Sequence, residues 1–138
     1  VSSTSCAASG EVAFYLETSA FLKLAVAEDG SPAMRQWFIG HRPCWSSQLL
    51  TTEAHRAAAR LGVNPDVIDE LLDGVSLVLP SSSTFDVAGR LAPVELRSLD
   101  AIHVAAAGEL GPDLEGVVTY DQRVIAGANA AGFPVIRP

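Results

Sequence analysis

Short apolar runs alternate with longer helix-like segments along almost the whole chain, and that alternation leaves few architectures open. Val12 to Leu16 (VAFYL), Cys44 to Ser46, Val75 to Leu79 (VSLVL), Gly116 to Tyr120 (GVVTY) and Phe133 to Ile136 read as strands. The continuous runs lack the polar alternation of a strand with one wet face, so both faces are expected to be covered. Strands separated by helices pair in parallel through right-handed crossovers. The expectation is a three-layer α/β/α sandwich around a central, mainly parallel sheet.

Turn and cap signals divide the intervening segments. Thr18 and Ser19 read as caps for a helix to about Glu28, and Ser31 followed by Pro32 opens a second helix through about Ile39. Ser47 reads as the cap of an alanine-rich helix to Leu61 that Gly62 stops, and Asn64-Pro65 starts another that ends at Gly74. Ser81 to Ser83 leads into a helix around Thr84 to Leu91, Pro93 breaks the chain, and Leu96 to Leu110 and Gln122 to Ala131 are the remaining helices. Residues 1–10 (VSSTSCAASG) are small and polar without periodicity and read as a flexible N-terminal tail. Residues 11–138 form one expected domain.

With 138 residues and 49% hydrophobic content, the chain can bury one sizeable core. No apolar run reaches the roughly 18 residues of a membrane helix, and the first basic residue is Lys23, so a cytoplasmic protein without a membrane partner is expected. Cys6 and Cys44 lack any paired spacing and read as reduced thiols. A net charge of −7 argues against gripping nucleic acid by bulk electrostatics. It does not exclude a carboxylate cluster that is acidic when empty and whose local field reverses on binding cations.

Four acids are hard to explain by folding alone: Glu17, Glu53, Asp100 and Asp121. Glu17 and Asp121 follow the first and fourth strands, at the carboxyl edge where open parallel sheets bind ligands. Glu53 lies in the helical series Leu49, Glu53, Ala57, Leu61, and Asp100 in Leu96, Asp100, Val104, Ala107, so both interrupt apolar stripes. Unpaired buried charge is costly, and four carboxylates at one edge call for a divalent cation.

Ordinary roles compete for each residue. Glu17 and Asp121 could serve as N-terminal helix acids, Glu53 could pair with Arg56 or Arg60, and Asp100 with Arg97 or His103. Four such coincidences at one edge are a weaker account than one site. Asp66, Asp69, Glu70 and Asp73 crowd one short helix as a solvated face and receive no function. His103 is read as a satisfied buried histidine and left out of the catalytic set. Arg56, Arg60, Arg97 and Arg123 are candidate phosphate contacts, although solvated surface arginines are the simpler reading. Met34, Trp37 and Phe38 form an apolar stripe open to three uses: core, dimer interface or partner groove. A phospho-acceptor receiver is disfavoured because Lys23 is the only lysine, and a dinucleotide fold because LETSAF has no glycine turn.

FYLETSAFLKL, TTEAHRAAAR, LRSLDAIHVAAA and VVTYDQRVIAGANAAGFPVI, in that order, resemble the four motif blocks of PIN-domain proteins, in particular the VapC toxins of bacterial toxin–antitoxin pairs. The resemblance implies an endoribonuclease that uses Mg²⁺ or Mn²⁺, with Glu17, Glu53, Asp100 and Asp121 as the catalytic acids. Glu17, Asp100 and Asp121 would hold the metal, and Glu53 would complete the cluster or orient a water. Ser19 and Thr119 match hydroxyl residues that flank the family site. The implied partners are an RNA substrate, a VapB-type antitoxin and a second copy of the chain in a homodimer.

The family usually has aspartate in the first block, where this chain has Glu17 with one more methylene. Mg²⁺ demands near-octahedral geometry, and a displacement on the order of 1 Å can cost roughly a hundredfold in rate. A tolerated natural variant, an engineered substitution and an impaired site are all open at this point. In the last case the domain would mainly dimerise and bind antitoxin.

Overall fold

The computed structural model describes residues 12–138. The expected tail and Glu11 lie outside them.

Among the described residues, five short strands form one sheet: β1 (Ala13–Leu16), β2 (Cys44–Ser47), β3 (Val75–Val78), β4 (Leu114–Val118) and β5 (Val135–Ile136). Their order is β3-β2-β1-β4-β5 and every pair is parallel, as the alternation requires. Among the described residues, seven α-helices connect them: α1 (Thr18–Ala25), α2 (Ser31–Gly40), α3 (Leu49–Leu61), α4 (Pro65–Asp73), α5 (Ser82–Ala88), α6 (Ser98–Gly108) and α7 (Gln122–Ala130). The connections run outward from β1 to β2 and β3, then return to the other side of β1 with β4. The order therefore reverses between β1 and β4, and a crevice opens at their carboxyl ends.

The period of two along the strands divides the core between the faces. Leu16, Cys44, Val75 and Val118 pack with Phe21, Met34, Phe38, Leu50, Ala54 and Ile68 of α1 to α4. Ala13, Tyr15 and Val117 face the other way, against Val104 and Ala107 of α6 and Val124 and Ala128 of α7. Ala88 of α5 packs on Ala101 and Ala105 of α6. The Met34, Trp37, Phe38 stripe belongs to the first layer, where Trp37 stacks on His41 with ring centroids 4.2 Å apart. The Cys44 thiol is free and buried, and burial pushes its pKa up to about 12, so it is no nucleophile.

Local signals mostly landed where the side chains predict, with instructive exceptions. Gly62 ends α3 at φ 72°, a conformation that favours glycine, and the Asn64 side chain caps α4 by accepting from Asp66 N. The cap position of α3 is Gln48 rather than Ser47, although Ser47 Oγ accepts from Leu49 N at the start of the helix. The cap of α1 is Glu17 rather than Thr18 or Ser19, because its longer side chain folds back to accept from Ser19 N. Ser31 is the first residue of α2, not its cap; Gly30 precedes it in the left-handed region while Ser31 Oγ donates to Val26 O. The last helices are shorter than their apolar periodicity predicts: α5 ends at Ala88 and α6 runs only Ser98–Gly108. Leu79, expected in β3, lies beyond it and is 80% exposed.

Candidate active site

Glu17, Glu53, Asp100 and Asp121 line one cleft of about 520 Å³, together with Thr18, Ser19, Leu22, Leu49, Arg56, Arg60 and Leu99. Each acid arrives from a different part of the chain. Glu17 terminates β1, Asp121 caps the helix after β4, Glu53 projects from α3 and Asp100 from the first turn of α6.

Glu17 is the most enclosed, at 5% exposure. Its amide extends the β1–β4 ladder by donating to Val118 O at 3.0 Å. Oε1 accepts from Ser19 N at 3.1 Å, Ser19 Oγ at 2.5 Å and Thr119 Oγ1 at 2.7 Å. Oε2 receives no protein donor among the described residues. Hydrogen bonds to a charged group are worth about 1.5–3 kcal/mol each, whereas desolvating an ion costs several kcal/mol. Three neutral donors fix the carboxylate but bring no counter-charge. Burial accordingly raises the Glu17 carboxyl above its ordinary value, against the opposing effects of His103 and of the Ser19 and Thr119 hydrogen bonds.

The two hydroxyls tie the acids together. Ser19 Oγ accepts from Tyr120 N at 2.8 Å, and Thr119 Oγ1 accepts from Asp121 N at 3.0 Å. Asp121 Oδ1 caps α7 by accepting from Arg123 N and Val124 N. Asp121 thus fills the helix-cap role weighed against a site role, and it does so from inside the cleft. Asp100 makes no ion pair with Arg97 or His103 among the described residues. Burial first, and then the neighbouring Asp121 charge, raise its carboxyl above the ordinary value.

Glu53 behaves differently. Its partner is neither Arg56 nor Arg60 but His103, whose Nε2 lies 2.5 Å from Glu53 Oε1. Thr18 Oγ1 donates to the same oxygen at 2.5 Å. Burial alone would raise the Glu53 carboxyl, but the His103 hydrogen bond and charge and the Thr18 hydroxyl leave it below its ordinary range. The buried face of α3 is Leu50, Ala54, Ala57 and Ala58, with Leu61 exposed, so Glu53 flanks the apolar stripe instead of lying in its centre.

His103 is buried and satisfied, as expected of the residue itself, yet it is bonded to a site acid. Thr18 and Tyr15 belong to the same cluster, and sequence reasoning assigned them no site role. A polar residue between Ile102 and the VAAA run on α6 was the available signal, but its partner lies fifty positions away in the chain.

The donor set is hard carboxylate oxygen, of the kind Mg²⁺ and Mn²⁺ select. Among the described residues no group of three or more His, Cys, Asp or Glu side chains is arranged to hold a metal ion directly. Mg²⁺ commonly takes one or two carboxylates and keeps several waters, so a carboxylate-lined, water-accessible cleft fits it without a closed cage.

The sheet order and the carboxylate cleft at its switch point define a PIN-type domain. The sequence is 40% identical to Ribonuclease VapC46 of Mycobacterium tuberculosis over 91% of this chain and 98% of that protein. It is 34% identical to Ribonuclease VapC47 of the same organism, over 90% and 96%. Similarity at that level over nine-tenths of the chain places it in the VapC ribonuclease family of PIN-domain proteins. Among solved structures, M. tuberculosis VapC20, a sarcin-ricin loop cleaving toxin, superposes with a TM-score of 0.73 at 16% identity, covering 91% of this chain and all of that one. PAE2754 from Pyrobaculum aerophilum gives 0.65 at 22% identity, covering 90% and 83%. These two likenesses bear on the fold. No family model matches the chain.

Proposed function

We propose that this chain is a divalent-metal-dependent endoribonuclease, the toxin of a toxin–antitoxin pair. The observation that carries the reading is the meeting of Glu17, Glu53, Asp100 and Asp121 in one cleft with Arg56 and Arg60 at its wall. Asp100, Asp121 and Glu17 would hold Mg²⁺, or Mn²⁺ in its place. The bound ion supplies acidification of a water and neutralisation of charge developing on the phosphodiester oxygens.

The chain's own residues perform the remaining tasks. Glu53, fixed through Oε1, is placed to orient an attacking water or accept its proton. Arg56 and Arg60 are exposed and can meet backbone phosphates, offsetting the repulsion between RNA and an acidic protein. Ser19 and Thr119 hold Glu17 in one orientation, which restricts the wandering that its extra methylene permits. No side chain becomes a covalent nucleophile.

The regulatory partner of this reading is a VapB-type antitoxin, and the assembly a homodimer in the cytoplasm. An arginine from an antitoxin entering the cleft would neutralise the carboxylates and exclude the metal together. Among the described residues no helix is long and apolar enough to cross a membrane.

The test is end-mapped sequencing of total RNA incubated with the protein and Mn²⁺, beside Asp100→Ala. Discrete cuts that chelation and Asp100→Ala both abolish are expected. Cuts that persist in the variant would overturn the assignment. Glu17 supports a second reading, a domain that binds antitoxin without cleaving. Cleavage by Glu17→Asp but not by the unaltered chain would establish it.

A further inference from the structure

Resting on the nuclease reading above, we infer that His103 is a positioning residue: with Tyr15 it clamps the Glu53 carboxylate by Oε1 and leaves Oε2 free for the reaction. The clamp is a closed circuit of hydrogen bonds across four elements. Ser47, at the end of β2, donates its amide N–H to Tyr15 Oη at 3.2 Å. Tyr15 Oη, on β1, lies 2.7 Å from His103 Nδ1 on α6. His103 Nε2 lies 2.5 Å from Glu53 Oε1 on α3. Ser47 Oγ accepts from Leu49 N, which returns the circuit to the start of α3, one turn before Glu53.

The Glu53 carboxylate can only accept, so Nε2 carries the proton of that bond and donates it. Tyr15 is fully buried, and its Oη accepts from Ser47 N and faces Nδ1 on the other side of the ring. Thr18 Oγ1 supplies the second donor to Oε1. Both donors reach one oxygen of Glu53, and Oε2 has no protein partner among the described residues on a side chain that lines the cleft. A glutamate has three side-chain torsions to fix, and a buried imidazole at 1% exposure, held at both nitrogens, is a rigid stop for them.

The direct test is ¹⁵N NMR of the histidine rings in the full chain, which reads the tautomer without any substrate or metal. The expected spectrum shows His103 protonated at Nε2, and Tyr15→Phe should change that ring's shifts while leaving His41 and His55 unchanged. A ring without a proton on Nε2, or no response to Tyr15→Phe, would overturn the proposal. The kinetic arm compares His103→Gln, whose amide N–H can still donate to Glu53, with His103→Leu, which cannot. Loss of an orienting partner typically costs about 10- to 100-fold, so His103→Leu should lower kcat by that order with KM little changed, and His103→Gln should recover most of it. Equal losses in two folded variants would contradict the clamp. Absence of cleavage by the unaltered chain would instead count against the nuclease reading, with the ring spectrum still deciding the clamp.

Discussion

The Thr119 hydroxyl donates to Glu17 Oε1 over 2.7 Å while accepting the Asp121 amide at 3.0 Å, so one small side chain sets two acids of the cleft relative to each other. Thr119 is fully buried. Thr119→Val keeps the shape and removes both. Leaving a buried carboxylate and an amide short of partners should cost about 1–3 kcal/mol by chemical denaturation, whereas Thr119→Ser should retain most of the stability. Mg²⁺ affinity of the Val variant should fall by roughly tenfold or more, read by titration calorimetry.

Asp121 has two roles that substitution can separate. Its side chain caps α7, and its charge belongs to the cleft. Asparagine caps nearly as well as aspartate, so Asp121→Asn should hold stability to within about 0.5 kcal/mol while RNA cleavage is lost. Asp121→Ala should lose cleavage and about 1 kcal/mol of stability as well. Equal stability of the two variants would show that the cap contributes nothing.

Asp100 gives a pH prediction. Burial, then the Asp121 charge, lift its carboxyl above the ordinary 3.8 in the folded chain. The folded state therefore holds this proton more tightly than the unfolded state does. Its contribution to stability falls as pH rises from 3.8 through the raised value, and the deficit persists at neutral pH. Without metal, Asp100→Asn should raise Tm at neutral pH, by an amount on the order of 2 °C because solvent screens a partly exposed group. The difference should vanish near about pH 3, where the carboxyl is protonated in both states. Saturating Mg²⁺ should reverse the ranking by stabilising only the unaltered chain.

Gly116 tests the strand that delivers Thr119 and Asp121. A Cβ there would lie 2.7 Å from Ile136 Cδ1 and 2.9 Å from its Cγ1, too close for the Ile136 side chain to stay where it is. Gly116→Ala should cost about 1–3 kcal/mol. Adding Ile136→Val, which removes the Cδ1 methyl, should recover part of that loss in a double-mutant cycle.

The parallel sheet was legible because its strands are continuous apolar runs and because cap and glycine signals at Gly62, Asn64 and Gly74 sit where helices begin or end. The location of all four acids at one edge was legible for the same reason, since strand ends and helical spacing place Cα positions. Hydrogen-bond partners were not. Glu53 could be assigned only to arginines of its own helix, whereas its partner His103 arrives from α6 through the packing of two layers. Glu17 as the cap of α1 was missed because Thr18 and Ser19 are better caps by residue type, and only the fold shows them turned to Glu53 and Glu17 instead. The ends of α5 and α6 were overextended because apolar periodicity continues into a connection that packs against the core without being helical.

The most direct measurement is a Mn²⁺ titration, followed by electron paramagnetic resonance of the free ion, on the unaltered chain and on Asp121→Asn under identical conditions. The account predicts saturable binding to the unaltered chain, competed by Mg²⁺, and its loss in Asp121→Asn while the fold is retained. Binding of equal strength to both proteins, or to neither, would contradict a metal site built on the carboxylates of this cleft.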